Sequence, residues 1–159
     1  MTVVESQGTK AHLVATTVAT TTAADIATAV TGGKQILCLL DLGDISLGSR
    51  SVQEYNCMSS DESFKSLGSI SLANISPSLL YSPADTAGQA DLRSMWENNT
   101  RRKMIISLND EITPTTGNPT YIVFEAAVSQ PTMGIQKDNA VQYTPTVEIC
   151  TKPVVIPAT

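Results

Sequence analysis

The chain has 159 residues, of which 42% are hydrophobic, 16% charged and 4% aromatic, and its formal net charge is −5. That length suits one domain with a real core, while the acidic balance argues against gripping nucleic-acid phosphates or docking on an anionic membrane. No apolar run reaches membrane-spanning length, and the opening MTVVESQGTKAHL lacks the basic and apolar parts of a signal peptide, so the chain is expected to stay in the cytosol unless it leaves inside a larger object.

Residues 3–22 are rich in Thr and β-branched side chains and fit a strand or an extended arm. A short helix is expected over residues 23–30, stopped by Gly32 and Gly33. Residues 35–40, QILCLL, form a continuous apolar run that reads as a strand buried on both faces. After a turn at Gly43 and Asp44, residues 49–57 read as a weakly alternating strand and residues 57–67 as a polar loop carrying Phe64. Residues 69–76 alternate cleanly before Pro77 closes them.

The best-marked helix is expected over residues 83–98. Ser82 suits the N-cap, Pro83 the first helical position and Asp85 a capping-box partner. Ala84, Gly88, Leu92, Met95 and Trp96 recur at three- and four-residue steps, making a stripe expected to cover a sheet. Asn98 and Asn99 end it. A strand over residues 103–109 is expected to form a hairpin with residues 121–128 through the PTTGNP turn at 114–119. Residues 130–139 read as a loop and 141–150 as a strand. The tail KPVVIPAT, with two prolines, suits only an edge strand or an arm.

The sum is a mainly β chain, a β-sandwich or barrel with one flanking α-helix, in a single domain over residues 1–159. Residues 1–33 are its Thr/Ala-rich N-terminal arm and residues 153–159 its C-terminal tail.

Catalytic chemistry is missing. The sole histidine, His12, lies in a Thr-rich strand region, and no G-x-S-x-G occurs. Gly32-Gly33-Lys34 resembles a phosphate loop, but Thr28 and Gln35 stand where it needs glycine and a hydroxyl, so a turn is the better reading. Asp41 with Asp44, and Asp61 with Glu62, read as solvated turn carboxylates. Arg101, Arg102 and Lys103 suit a helix C-terminus, and the Asn98-Asn99-Thr100 sequon carries no meaning without a secretory leader. Cys38, Cys57 and Cys150, odd in number and widely spaced, suggest neither disulfides nor zinc and read as buried free thiols. The expectation is no enzyme, no cofactor and no metal.

What remains is surface. Strands poor in Lys leave their edges unguarded. Such edges, a polar loop with Phe64 and extended ends predict a subunit that pairs with copies of itself, with ring closure removing the edges.

The middle of the chain carries a resemblance. Leu42-Gly43-Asp44-Ile45, then Ser51 to Asn56 (SVQEYN), an acidic loop at Asp61-Glu62, and Gly68 entering a strand come first. A helix of the type D-x-x-G-Q-x-x-L (Asp85, Gly88, Gln89, Leu92) follows, with Trp96 near its end and then a strand over 102–110. Across residues 40–130 this order resembles the major tail tube proteins of long-tailed, non-contractile bacteriophages.

The resemblance implies a virion structural protein. Six copies would form a ring, and rings would stack helically into a hollow tube through which double-stranded DNA passes into the host without tight binding. The partners implied are other copies, the tape measure, tail terminator and tip or baseplate proteins, with no membrane involved and assembly in the host cytoplasm. It implies an inter-ring stacking loop at residues 52–67, with Val52, Tyr55, Asp61, Glu62, Phe64 and Leu67 as contact residues. It places Leu92, Met95 and Trp96 on an outer helix that helps subunits pack. It also implies an acidic lumen, for which Asp41, Glu54, Glu125 and Glu148 are the strand-borne candidates. Six copies of a chain at −5 give a ring near −30, a wall that repels DNA. Two alternatives remain: a ring-forming relative, such as a tail terminator or secretion-system tube protein, or a small β-sandwich binding or adhesion module. One Trp, two Phe and four Tyr make an aromatic binding platform thin.

Overall fold

The computed structural model describes residues 5–56, 58, 63–110, 117–137 and 139–159. Its backbone is a main antiparallel sheet. β1 (Glu5–Val14), β8 (Arg102–Asn109) and β9 (Tyr121–Gln130) lie side by side, and β2 (Lys34–Gln35) flanks β1. On the far edge of β9 run β12 (Thr146–Ile149) and then β13 (Val154–Ile156), with β6 (Asn74–Ile75) outside β12. A second, smaller sheet has the order β10 (Met133–Gly134), β11 (Gln142–Tyr143), β7 (Ser78–Leu80) and β3 (Leu39–Asp41). The expected 103–109 with 121–128 hairpin is the centre of the main sheet, pairing Met104 with Phe124 and Ile106 with Ile122.

Period-two alternation sends the two halves of each central strand to opposite faces. On one face Ala11, Leu13, Met104, Ile106, Phe124, Ala126, Val147 and Ile149 meet Leu79 and Tyr143 of the second sheet, and helix α2 (Gly88–Glu97) adds Leu92 and Met95. On the other face Val14, Ile105, Tyr121 and Val123 meet Ile26 and Ala29 of helix α1 (Ala23–Gly32). The architecture is the expected mainly β sandwich, and the short helix expected over residues 23–30 is present as α1, so a second helix flanks the sheet.

Several elements differ from their expected form. Residues 5–33 are not an arm: β1 sits inside the main sheet between β2 and β8, with Ala11 and Leu13 buried. A Thr22–Asp25 capping box starts α1, each residue's backbone N–H donating to the other's side chain at 3.2 Å. The apolar run 35–40 is not one buried strand, because the chain crosses from the main sheet to the second sheet within it. Ile36 is buried, Cys38 turns through a φ of 57°, and Leu37 and Leu40 are exposed. Cys38 is therefore an exposed thiol, Cys150 is half-buried, and Cys57 lies outside the described residues. The strand expected over 141–150 changes sheets in the same way at buried Pro145, between β11 and β12. Residues 114–116 of the expected turn at 114–119 lie outside the described residues.

Helix α2 starts five residues later than expected, at Gly88, with no side-chain bond from its N-cap residue Ala87. The cause is Asp85, whose carboxylate accepts from the backbone N–H groups of Ala87, Gly88 and Gln89, and also from Leu37 across the fold. Satisfying the orphan donors from residue 85 holds residues 82–87 in turns. Gly88 is required by close approach: a Cβ there would meet the Gln35 carbonyl oxygen and, at 2.6 Å, the Ile36 Cα. The helix buries the face of Gly88, Gln89, Asp91, Leu92 and Met95, so Trp96 falls beside it and is 48% exposed instead of covering the sheet.

Candidate functional site

One element stands apart from both sheets. β4 (Ser49–Asn56) and β5 (Ser63–Ser71) pair only with each other, and every residue of β4 is exposed. A two-stranded ribbon without a packed face is marginally stable in water. Here the expected polar loop is a strand of a hairpin, and its side chains explain why it needs a cover. Opposed positions share a face. Tyr55 lies opposite Phe64 on one face, and Val52 lies opposite Leu67 on the other. Their exposures are 56%, 58%, 58% and 64% respectively. Next to the aliphatic pair are Glu54 opposite Lys65 and Arg50 opposite Ile70.

The register shifts between Arg50 and Val52, where β5 carries one extra residue. Gly68 sits at this bulge, since a Cβ there would run into the Ser51 hydroxyl. Arg50 Nη1 donates to the Gly68 carbonyl at 3.3 Å, and the Tyr55 hydroxyl donates to Gln53 Oε1 at 2.5 Å. The hairpin thus leaves two apolar pairs facing opposite ways.

The other expected site residues are placed as follows. Asp61 and Glu62 lie outside the described residues. Leu92 and Met95 are fully inside the chain's own core, so of the expected helix contacts only Trp96 is open to a neighbour. The four candidate carboxylates do not share a face. Asp41 is exposed on β3 and accepts from the Gly43 N–H at 2.9 Å, while Glu54 stands on the hairpin opposite Lys65. Glu125 and Glu148 are half-buried on the α1 side of the main sheet. Glu125 lies opposite Lys103, and Glu148 accepts from Ser129 Oγ at 2.8 Å.

The chain also buries several polar groups. Asp91, only 5% exposed, sits between Lys34 Nζ at 2.8 Å and Arg102 Nε at 3.3 Å, tying α2 to β2 and β8. Gln89 donates to the Leu37 and Leu80 carbonyls and accepts from the Ser82 N–H. The sequence signal for both was their place on the Gly88–Leu92–Met95 stripe. His12 is buried, and burial first, then the nearby Lys10 cation, holds its pKa below the ordinary 6.5. A neutral, enclosed imidazole suits a core histidine. Among the described residues no group of three or more His, Cys, Asp or Glu side chains could hold a metal ion, and no helix is long and apolar enough to cross a membrane.

A second surface feature lies where the two sheets splay apart. Leu39, Leu40, Leu42 and Ile45 face Ile106, Leu108 and the Gln7–Thr9 segment across a groove of about 660 Å³, with Asp41 also lining it.

The arrangement is two packed sheets, flanking helices and a separate hairpin. No family model matches the sequence, and no curated protein matches it. Solved structures do. A chain of the anti-feeding prophage baseplate superposes with a TM-score of 0.69 at 9% identity, covering 99% of this chain and 97% of that one. A chain of the sheath/tube terminator of an extracellular contractile injection system gives 0.68 at 14% identity, covering 98% and 97%. The SPP1 tail tube gives 0.66 at 12% identity, covering 98% of this chain and 80% of that one. The chain therefore has the fold shared by phage tail tubes and injection-system tube components.

Proposed function

We propose that this protein is a structural subunit of a phage tail tube, forming six-membered rings that stack into a hollow conduit for DNA. The observation that carries the reading is the free hairpin with an apolar pair on each face. One neighbour would cover one face only, so two contacts are needed, one of them reaching the next ring. The net charge of −5 per copy gives a ring that repels phosphates, letting DNA slide through without adhering. The work is done by geometry and charge, with no catalysis, and the place of action is the virion tail, beside tape measure, terminator and tip proteins. The non-contractile assignment rests on the motif order from Leu42 to Asp110.

The second reading is a terminator or cap that forms a single ring, favoured by the likeness to an injection-system terminator chain. Negative-stain microscopy of purified protein across a concentration series separates the two. Long tubes support the tube subunit, and single annuli that never stack support the terminator. A monomer at every concentration, with or without added tail-tip complex, removes both.

A further inference from the structure

We infer that His12 is a pH-sensitive latch: a proton on its imidazole releases α1 and β2, residues 23–35, from the main sheet while the central strands stay paired. The inference does not depend on the tube reading. His12 is only 5% exposed and lies opposite Gln35 of β2 on one side and Ile105 of β8 on the other. It lines a cavity of about 230 Å³ together with Val30 of α1, Gln35, Ser107 of β8 and Tyr121 of β9. His12 Nδ1 and Ser107 Oγ are both sealed from solvent there, and neither has a hydrogen-bond partner among the described residues.

A buried imidazole takes up a proton only if a neighbour stabilises the charge or water reaches the ring. The charged groups around His12 do not stabilise it. Lys10, two residues along β1, also lines the cavity and repels a second cation. Among the described residues no carboxylate lines it. Lys103 and Glu125 oppose each other one row further along the same face, and Lys103 Nζ donates to the Val18 carbonyl at 2.7 Å. On α1, Asp25 is held at the N-cap by Thr21 and Thr22. On β2, Lys34 is drawn to Asp91. Tyr121 and Gln35 are uncharged at neutral pH. The charged imidazole is therefore reached by letting water in.

Which wall of the cavity moves follows from how each is held. β1, β8 and β9 are the middle of the main sheet, where Ala11, Ile105 and Ile106 are wholly buried. By contrast α1 buries only Ile26 and Ala29, and β2 is two residues long. A second cavity, of about 500 Å³, also runs beside α1 at Thr28 and Ala29. A segment with so few buried contacts opens at lower free energy than the sheet it covers. Closed, the imidazole is held below its ordinary 6.5 by burial first and Lys10 second; open, it returns to that value. Acid therefore favours the open form from about pH 6.5 downward.

The test is amide hydrogen exchange on the full chain, kept below the concentration at which it assembles. Protection factors remove the pH dependence of the exchange chemistry itself. One proton taken up at an ordinary histidine pKa predicts that protection over residues 23–35 falls about five- to twenty-five-fold between pH 7 and pH 5. Those amides should stay less protected than β8 and β9 at both pH values, and their exchange should respond little to low urea. His12→Gln should remove the fall. Lys10→Glu, at an exposed position, supplies an acceptor in place of the repelling cation and should at least halve it; this variant decides the matter if His12→Gln does not fold. A fall of undiminished size in His12→Gln, or in Lys10→Glu where it decides, would overturn the latch. So would α1 and β8 amides exchanging together with the same urea dependence, because the opening would then be global.

Discussion

Phe64→Ser separates an assembly role from a folding role. In the isolated chain Phe64 is 58% exposed, so most of its surface is still in water. Fully burying a Phe side chain is worth about 1.5–3 kcal/mol. The fraction left to bury therefore corresponds to about 1–2 kcal/mol per contact, or about five- to thirty-fold in an association constant. The same substitution should shift monomer stability by no more than about 0.5 kcal/mol, the usual range for an exposed site. The assay pairs sedimentation, to find the concentration at which assembly begins, with urea denaturation below that concentration. A midpoint for assembly raised about five-fold or more, with the unfolding curve unmoved, is the expected result. If Phe64→Ser assembles at the parental concentration, the aromatic face is not an interface. If it unfolds the monomer, the hairpin is part of the core and the argument for an external partner fails.

Three further outcomes follow from the interior. Asp91→Asn should cost about 1–2 kcal/mol in urea denaturation; the loss stays below the 3–5 kcal/mol of a fully buried ion pair because Lys34 and Arg102 remain 49% and 34% exposed. Lys34→Ala should cost less than about 1 kcal/mol, and the reverse ranking would show that Asp91 is not the centre of that network. Gly88→Ala should destabilise by about 1–3 kcal/mol by forcing α2 off the Gln35–Ile36 backbone, and a neutral result would contradict that close approach. His12 has a folded pKa below 6.5, so the unfolded chain takes up its proton first as pH falls. Stability from this group is present above about pH 6.5 and is lost below it, down through the folded pKa. His12→Gln should flatten the stability slope between pH 7 and 5, and an unchanged slope would assign it to other groups.

The parts of the fold legible in the sequence were those set by local pattern. Met104 to Leu108 and Tyr121 to Val128 announce themselves as short apolar, β-branched and aromatic runs, and the PTTGNP stretch between them announces a hairpin, because pairing partners are close in the chain. Hidden were the places where the chain changes sheets. At Ile36–Cys38 an apolar run splits because its halves belong to different layers, and nothing local marks the layer. The inward partners of Asp85, Gln89 and Asp91 were hidden for a related reason. Their partners Leu37 and Lys34 lie 48 to 57 residues away, so nothing local marks the pairing. The first strand of the hairpin was read as a strand and residues 57–67 as a loop, since a Ser-rich strand with apolar side chains on both faces shows neither a clean period nor a core side.

In the proposed assembly, a hairpin with an apolar pair on each face also sets how growth begins. A lone copy meeting a second can hide one apolar pair, leaving the other in water, so the first encounters gain only part of the available contact. A copy arriving where two neighbours already stand hides both at once. Polymerisation of that kind lags, then elongates rapidly from any existing template, and free subunits persist in solution until a seed is offered. The two-sided ribbon would therefore act as a timing device, keeping the pool of subunits unspent until an initiating platform is complete.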